Sequence, residues 1–281
     1  MFYFVHLEGN IGMNFAEKII KLFASLCYSI NRYDENTVRF ECFKNLSNAY
    51  EILLNNSNNN KIEQNDTRSK LLARLQGTPP SEAYFIIESL ANTRMVTGDV
   101  CEFGVAQGLT SALIANEIVK SNKVLHLFDS FEGLPKPSNK DELKDDIFSL
   151  GKIEAYKGTM ACPENMVISN LKDISFDENR YEIHKGFIEE LIHYDKNLPK
   201  KVSFAYLDFD FYEPIKIVLN FLDTVTEKGS IIMVDDYDFF STGVKKAVDE
   251  FILEKNKQAK IYGIFIPDKR FGCFAIIIRN L

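Results

Sequence analysis

From Gly98 onward, short apolar runs alternate with longer segments whose apolar residues recur at helical spacing. The runs predict strands, because almost unbroken apolar sequence is typical of strands that are covered on both faces. The predicted strands are Asp99–Phe103, Lys123–Phe128, Arg180–His184, Val202–Leu207 and Ser230–Val234. The predicted helices are Ser69–Leu75, Pro80–Leu90, Thr110–Lys120, Glu164–Leu171, Ile188–Ile192, Glu213–Val225 and Val244–Leu253. This alternation predicts an α/β fold with a doubly wound, mostly parallel sheet.

Two further apolar runs, Lys260–Ile266 and Gly272–Ile278, follow the last predicted helix. Only Pro267–Phe271 joins them, and this connection is too short for the crossover that parallel neighbours need. The two runs therefore predict an antiparallel hairpin at one edge of the sheet.

The first part of the chain has a different pattern. Apolar residues at helical spacing predict helices over Ala16–Ile30 and Leu46–Leu54, with a short strand over Thr37–Cys42 between them. The polar, asparagine-rich residues 55–66 cannot bury enough apolar surface to order themselves, and they predict a flexible connection. We therefore divide the chain into a mainly helical extension, residues 1–66, and an α/β domain, residues 67–281.

Composition narrows the classes of partner. The chain has 281 residues, of which 46% are hydrophobic and 26% charged, and its formal net charge is −7. This acidic balance argues against a nucleic-acid partner, because nucleic acids are held mainly by lysine and arginine. No run approaches the roughly 18 apolar residues that a membrane helix needs, so we expect no membrane span.

The five cysteines are widely scattered, and no CxxC pair suggests a zinc site or a redox motif. The chain also lacks a basic leader before its first apolar stretch. Both features predict a cytoplasmic protein with reduced thiols. The amphipathic helices of the extension need a surface to bury against, so we expect them to contribute to a homo-oligomer or to cover a ligand.

The most informative feature is a set of carboxylates at the ends of two predicted strands. The run Phe204–Leu207 ends at Asp208 and Asp210, and the run Ile231–Val234 ends at Asp235 and Asp236. Asp208 and Asp235 stand 27 positions apart, which is enough for a crossover helix and a second, neighbouring strand.

Acids crowded at one sheet edge repel one another unless a cation neutralises them, and oxygen ligands suit magnesium, calcium or manganese. The pattern therefore predicts a metal site formed by Asp208, Asp235 and Asp236. The alternative interpretation is a set of solvated acids at strand ends.

A second feature is a glycine-containing loop after the first strand of the domain. In the segment Cys101–Gly108, glycines at 104 and 108 allow a ligand to approach the backbone before a helix begins. The dinucleotide fingerprint GxGxxG is absent, which weakens a nicotinamide or flavin interpretation. Asp129 ends the next strand, at the position from which doubly wound folds hold the hydroxyls of a ribose. Together these residues predict a nucleoside site.

Four blocks of the chain, Gly98–Ser111, Phe128–Pro135, Leu207–Glu213 and Val234–Tyr237, resemble the successive motifs of the macrocin O-methyltransferase family. The resemblance spans roughly residues 70 to 255. It implies a Rossmann-like methyltransferase fold that uses S-adenosylmethionine and a divalent metal, usually magnesium, to methylate a sugar hydroxyl. We accordingly expect a sugar-containing small molecule or saccharide as acceptor.

The same resemblance assigns roles to individual residues. It implies that Asp208, Asp235 and Asp236 bind the metal, and that Glu102, Gly104 and Asp129 contact the cofactor. The complete predicted cofactor site is Glu102, Gly104, Gly108, Asp129 and Ser130.

The identity of the base is open. Better-known family members supply a histidine after the second block, whereas the corresponding stretch here, Ile153–Thr159, contains none. Lys157 or Glu154 could substitute, although either is more often a solvated loop charge, and Asp210 is a further candidate. The predicted catalytic residues are therefore Asp208, Asp210 and Lys157. The aromatic residues beside the acids that could form the floor of a sugar site are Tyr212, Tyr237, Phe239 and Phe240.

Two other functions remain as alternatives at this point. A glycosyltransferase also uses an Asp-x-Asp at a strand end to hold a metal and a nucleotide diphosphate, but the pair Asp235–Asp236 and the loop at Gly104 would then lack a purpose. A non-catalytic scaffold that keeps a methyltransferase fold is the second alternative.

Overall fold

The computed structural model describes residue 62, residues 65–257 and residues 259–281. The predicted helices Ala16–Ile30 and Leu46–Leu54 and the strand Thr37–Cys42 lie outside the described residues. The same holds for most of the predicted polar connection.

Strands and helices alternate through the described domain as the apolar pattern predicts. The helices are α1 (Asp66–Leu72), α2 (Pro80–Thr93), α3 (Leu109–Ile118), α4 (Glu164–Asp173), α5 (Ile188–Tyr194), α6 (Tyr212–Val225) and α7 (Thr242–Lys255). The strands are β1 (Asp99–Phe103), β2 (Leu125–Asp129), β3 (Tyr181–Lys185), β4 (Val202–Leu207), β5 (Thr226–Val234), β6 (Tyr262–Phe265) and β7 (Ala275–Arg279).

Most predicted bounds lie within two residues of the observed ones, and those that differ by more include the starts of α1 and β5. Helix α1 begins earlier than the predicted Ser69, because the side chain of Asn65 caps it by accepting hydrogen bonds from the amides of Thr67 and Arg68. Strand β5 begins at Thr226 rather than at the predicted Ser230. Its early residues are polar and carry no apolar signal, yet Thr226 pairs with Val202 of β4.

In the described part of the chain, the strands form one seven-stranded sheet in the order β3-β2-β1-β4-β5-β7-β6. Strands β1 to β5 run parallel, whereas β7 runs antiparallel to both β5 and β6. The predicted doubly wound sheet with an antiparallel hairpin at its edge is therefore confirmed. Within that hairpin, β6 is the outer strand, because β7 inserts between β5 and β6.

Helices cover both faces of the sheet. One apolar cluster joins the sheet to α2, α3 and α4, and it includes Ile86, Ile114 and Val167. The other joins the opposite face to α5, α6 and α7, and it includes Ile188 and Leu219. None of the helices that the structure describes has the length and apolar content to cross a bilayer.

The register of the central strands brings their carboxyl ends together. Phe103 of β1 pairs with Leu207 of β4, and Leu207 pairs with Val234 of β5. The ladder continues one residue further, because the amide of Asp208 donates to the Phe103 carbonyl at 2.7 Å and the amide of Asp235 donates to the Leu207 carbonyl at 2.8 Å. The chain order also reverses between β1 and β4, which is where doubly wound sheets bind ligands.

Candidate active site

A cavity of about 260 Å³ opens at this carboxyl edge of the sheet. Its walls combine the glycine loop after β1, the end of β2, the loop after β3 and the acids after β4 and β5. Among its lining residues are Gly104, Ala106, Asp129, Ser130, Gly186, Phe187, Asp208, Asp210, Asp235, Asp236 and Phe239. Members of both groups of residues that the sequence singled out therefore face one space, whereas Glu102 does not line it.

Gly104 lies where the glycine loop after β1 meets the acids. Its φ is +88°, and a Cβ built there would lie 1.9 Å from the carbonyl oxygen of Asp208. Only glycine fits this contact between the two strand ends. Gly108 has a different role, since it begins α3 at φ +78° and a Cβ there would lie 2.8 Å from the Cα of Val167 in α4. Gly108 does not line the cavity.

Asp129 ends β2 and holds the glycine loop in place. Its Oδ2 accepts hydrogen bonds from the amides of Val105 at 2.8 Å and Ala106 at 3.0 Å, and its Oδ1 accepts one from Phe131 at 2.7 Å. The neighbouring Ser130 hydroxyl donates to the Gly133 carbonyl at 3.2 Å. The carboxylate of Asp129 thus stands at the cavity wall in a fixed orientation.

Glu102 lies on β1 below the loop, and only 1% of it is exposed. Among the described residues, its Oε2 has no hydrogen-bond partner, and neither has the buried hydroxyl of Ser111 on α3. Burial, together with the charge of Asp129, raises the pKa of Glu102 to about 8, although the nearby Ser111 hydroxyl acts in the opposite direction. A buried carboxyl oxygen without a partner is unusual and is consistent with a ligand group that completes its contacts.

Three carboxylates form a compact cluster above β4 and β5. Oxygen atoms of Asp208, Asp210 and Asp236 all lie within 4.8 Å of one another. Asp210 and Asp236 have φ angles of +60° and +54°, a left-handed conformation that few residues other than glycine adopt. Such conformations cluster at functional sites, where the surrounding structure holds them.

Asp235 borders the cavity but is turned toward the face of the sheet that carries α2. Its Oδ2 accepts a hydrogen bond from the Tyr206 hydroxyl at 2.7 Å, and its Oδ1 accepts one from the amide of Asp236 at 2.7 Å. The Tyr206 hydroxyl also lies 3.1 Å from Oε1 of Glu82, which is 1% exposed in the first turn of α2. Burial and the charges of Asp235 and Asp208 raise the pKa of Glu82 well above its usual range.

The electrostatics of the cluster favour a cation. Burial and the charges of neighbouring carboxylates raise the pKa of Asp208 and Asp236 well above the usual range, and that of Asp210 to about 8. Burial also raises the pKa of Asp235. Among the described residues, the charges that act on these groups come from other carboxylates. The atoms that could bind a metal here are all carboxylate oxygens, which is the ligand type that magnesium and manganese prefer. The residues present therefore fit a divalent ion.

Residues 84–266 match the sequence profile of the family described as macrocin-O-methyltransferase (TylF). The chain belongs to this family. The resemblance predicted from the four motif blocks is thereby confirmed. No curated protein matches the chain in sequence.

Three solved O-methyltransferases have similar folds. NovP is 18% identical, with a TM-score of 0.59 over 72% of this chain and 81% of NovP. The calicheamicin methyltransferase CalS11 is 19% identical, with a TM-score of 0.56 over 83% of this chain and 90% of CalS11. An O-methyltransferase from Bacillus cereus, solved in complex with SAH, is 12% identical, with a TM-score of 0.51 over 86% of this chain and all of that one. At these identities the likeness shows the shared methyltransferase fold.

Within this member of the family, the structure does not bring every predicted residue to the cavity. The side chain of Lys157 is exposed, as is that of Glu154, and neither residue lines the cavity. The structure therefore offers no contact through which Lys157 could act as the base. Asp210 does line the cavity and is 7% exposed.

Only one of the four candidate aromatic residues faces the cavity. Phe239 is 36% exposed and lines it. The hydroxyl of Tyr212 bonds Glu250 and that of Tyr237 bonds Asp249, both on α7, while Phe240 is fully buried. The last three belong to the core rather than to a sugar platform.

Two parts of the site gave no signal in the sequence. Gly186 to Glu189, after β3, line the cavity, although the sequence marks only the end of a strand and the start of a helix there. A glycine directly after a strand end was the available clue. Glu82 joins the acids although it lies 124 positions from Tyr206, and its spacing in α2 is that of an ordinary acid in the first turn of a helix.

Proposed function

We propose that this protein is a metal-dependent O-methyltransferase that moves a methyl group from S-adenosylmethionine to a hydroxyl of a sugar or of a glycosylated small molecule. The observation that carries this proposal is the contact between the two halves of the site. At Gly104 the glycine loop after β1 touches the backbone of Asp208, so a nucleoside site and an acid cluster share one cavity. Family membership favours methyl transfer at that cavity.

The cofactor side of the cavity would bind S-adenosylmethionine. Asp129 would accept hydrogen bonds from ribose hydroxyls, and the carboxyl of Glu102, through its unpaired Oε2, would attract the ammonium group of the methionine part. Gly104 lets the cofactor approach the backbone without a side chain between them. When bound, S-adenosylmethionine supplies an electrophilic methyl group, so the protein has to align the acceptor oxygen with it. The Bacillus cereus neighbour was solved with SAH, which supports this assignment on the shared fold.

The acid side would hold a magnesium-like ion through Asp208, Asp235 and Asp236. When bound, such an ion orients a hydroxyl oxygen and lowers its pKa. Asp210 would accept the proton that this hydroxyl loses, because its carboxyl lines the cavity and its oxygens lie close to those of Asp208 and Asp236. This role for Asp210 removes the need for a histidine in the stretch Ile153–Thr159.

The acceptor would enter beside Phe239 and Ile147, which give the cavity an apolar wall next to the acids. The combination suits an acceptor with hydroxyls on one side and a less polar face on the other. The neighbour CalS11 is named as a calicheamicin methyltransferase, and the family takes its name from macrocin, which supports a glycosylated acceptor. A cytoplasmic location and a homo-oligomeric state stay predictions from the sequence.

Family membership weighs against the glycosyltransferase alternative, because the Gly104 loop and the pair Asp235–Asp236 have a purpose in methyl transfer and none in that reaction. The scaffold alternative predicts no turnover with any acceptor, so it is tested by the same assay as the proposal.

The test measures formation of S-adenosylhomocysteine from S-adenosylmethionine with a panel of free sugars, nucleoside diphosphate sugars and glycosylated small molecules. We expect turnover that stops in excess chelator and returns with magnesium. Asp235→Asn should lower turnover by about 100-fold or more while leaving S-adenosylhomocysteine affinity nearly unchanged, because the lost ligand acts on the acceptor oxygen.

The matched control is Asp173→Asn on α4, where the carboxylate is exposed and pairs with Arg74. It should behave as wild type. Full turnover in chelator, or an unchanged rate in Asp235→Asn, would remove the metal from the proposal. Absence of cofactor binding in the wild-type protein would remove methyl transfer itself.

A further inference from the structure

Glu82 and Tyr206 form a buried polar pair behind the acid cluster, and neither has a role in the proposed reaction so far. The Tyr206 hydroxyl lies 2.7 Å from Oδ2 of Asp235 and 3.1 Å from Oε1 of Glu82. Both residues are 1% exposed. We propose that Glu82 and Tyr206 are positioning residues that hold Asp235 in the orientation in which it binds the divalent ion.

The contacts of Asp235 show why it needs support. Its two oxygens accept hydrogen bonds from the Tyr206 hydroxyl and from the amide of Asp236, and the Glu82 carboxyl also hydrogen-bonds to it, so both residues of the pair contact Asp235. Asp235 lies at the cavity wall, whereas the compact trio of oxygens comes from Asp208, Asp210 and Asp236. Groups that hydrogen-bond a metal ligand from behind set its direction, and their loss typically weakens metal binding about 10- to 100-fold.

Glu82 is in turn held rigidly by the packing of α2. The neighbouring Phe85 packs on Phe274 and Phe271, with ring centroids 5.2 and 5.8 Å away. Gly272, at φ +134°, brings the chain so close that a Cβ there would lie 3.3 Å from Oε2 of Glu82. A carboxyl fixed in this way gives the Tyr206 hydroxyl a second partner and limits the rotation of that hydroxyl.

The inference rests on the metal dependence in the proposed function. It concerns how the protein orients Asp235, one of the proposed metal ligands. Because Glu82 lies on α2, the affinity for the ion would depend on the position of α2. Glu82 lies just before the segment 84–266 that matches the family profile.

The experiment titrates the full-length protein with Mn²⁺, whose free form is counted by electron paramagnetic resonance. Tyr206→Phe removes one hydroxyl and should weaken Mn²⁺ binding about 10- to 100-fold while S-adenosylhomocysteine affinity stays at the wild-type value. Glu82→Leu should also weaken Mn²⁺ binding. Glu82→Gln keeps a hydrogen-bonding group beside the hydroxyl and should bind Mn²⁺ more tightly than Glu82→Leu.

The matched control is Tyr262→Phe. Tyr262 is also buried with its hydroxyl on a carboxylate, that of Asp223 at 2.8 Å, but at the far edge of the sheet. It should bind Mn²⁺ as the wild type does. Wild-type Mn²⁺ affinity in both Tyr206→Phe and Glu82→Leu, or an equal loss in Tyr262→Phe, would overturn the inference while leaving the metal site in place.

If the wild-type protein binds no Mn²⁺, the inference falls together with the metal part of the proposed function. Formation of S-adenosylhomocysteine by that same protein would then show that methyl transfer itself stands.

Discussion

Replacing Gly104 by alanine puts a methyl group where the end of β4 already lies. The added Cβ would stand 1.9 Å from the carbonyl oxygen of Asp208, and real Cβ atoms essentially never approach closer than 3.0 Å. The ends of β1 and β4 must therefore separate by about 1 Å. That separation moves the glycine loop after β1 away from the acids, and a misplacement of about 1 Å can lower turnover about 100-fold.

The effect on stability has two parts. An alanine at φ +88° carries the left-handed penalty of about 1–2 kcal/mol. Overpacking adds about 1–3 kcal/mol. Gly151→Ala is a matched control, because Gly151 has φ +79° and nothing lies within 4 Å of the position that its added methyl group would take. Gly151→Ala therefore carries the left-handed penalty without the overpacking.

The assay compares the two variants by thermal unfolding and by S-adenosylhomocysteine formation. We expect Gly104→Ala to unfold about 2–10 °C below Gly151→Ala and to lose most of its turnover, whereas Gly151→Ala keeps it. Equal melting temperatures and equal turnover in the two variants would show that β1 and β4 are not in close contact at the site.

Two further predictions concern the cofactor and the ion. Asp129→Ala should weaken S-adenosylhomocysteine binding about 10- to 100-fold in calorimetry, because it removes charge-assisted hydrogen bonds. Glu132→Ala, at an exposed neighbouring position, should leave the affinity unchanged. Equal affinities in the two variants would argue against a ribose contact. Mn²⁺ affinity should rise from about pH 6 to about pH 9, because the acids of the cluster must lose protons when an ion binds. The pKa of Asp210 is about 8, and the pKa values of Asp208 and Asp236 are also raised. A flat pH profile would contradict that reasoning.

Much of the fold could be predicted from local pattern. The bounds of β1 and β4 agree with the predicted Asp99–Phe103 and Val202–Leu207, because strands buried on both faces are mostly apolar. The short connection at Pro267–Phe271 required an antiparallel pair for a similarly local reason. The acids Asp208 and Asp235 could be assigned to one sheet edge because parallel strands present their carboxyl ends on the same side.

The sequence by itself therefore determined the kind of fold, its family and the acids at two strand ends, since each of these depends on neighbours along the chain. Only the tertiary structure decided which side chains meet. It turned Asp235 toward Tyr206, placed Asp210 among the acids and left Lys157 exposed outside the cavity. It also brought Glu82 to Tyr206 across 124 positions. Such contacts depend on how α2 packs against the sheet, and helical periodicity specifies which face is buried but not what that face will touch.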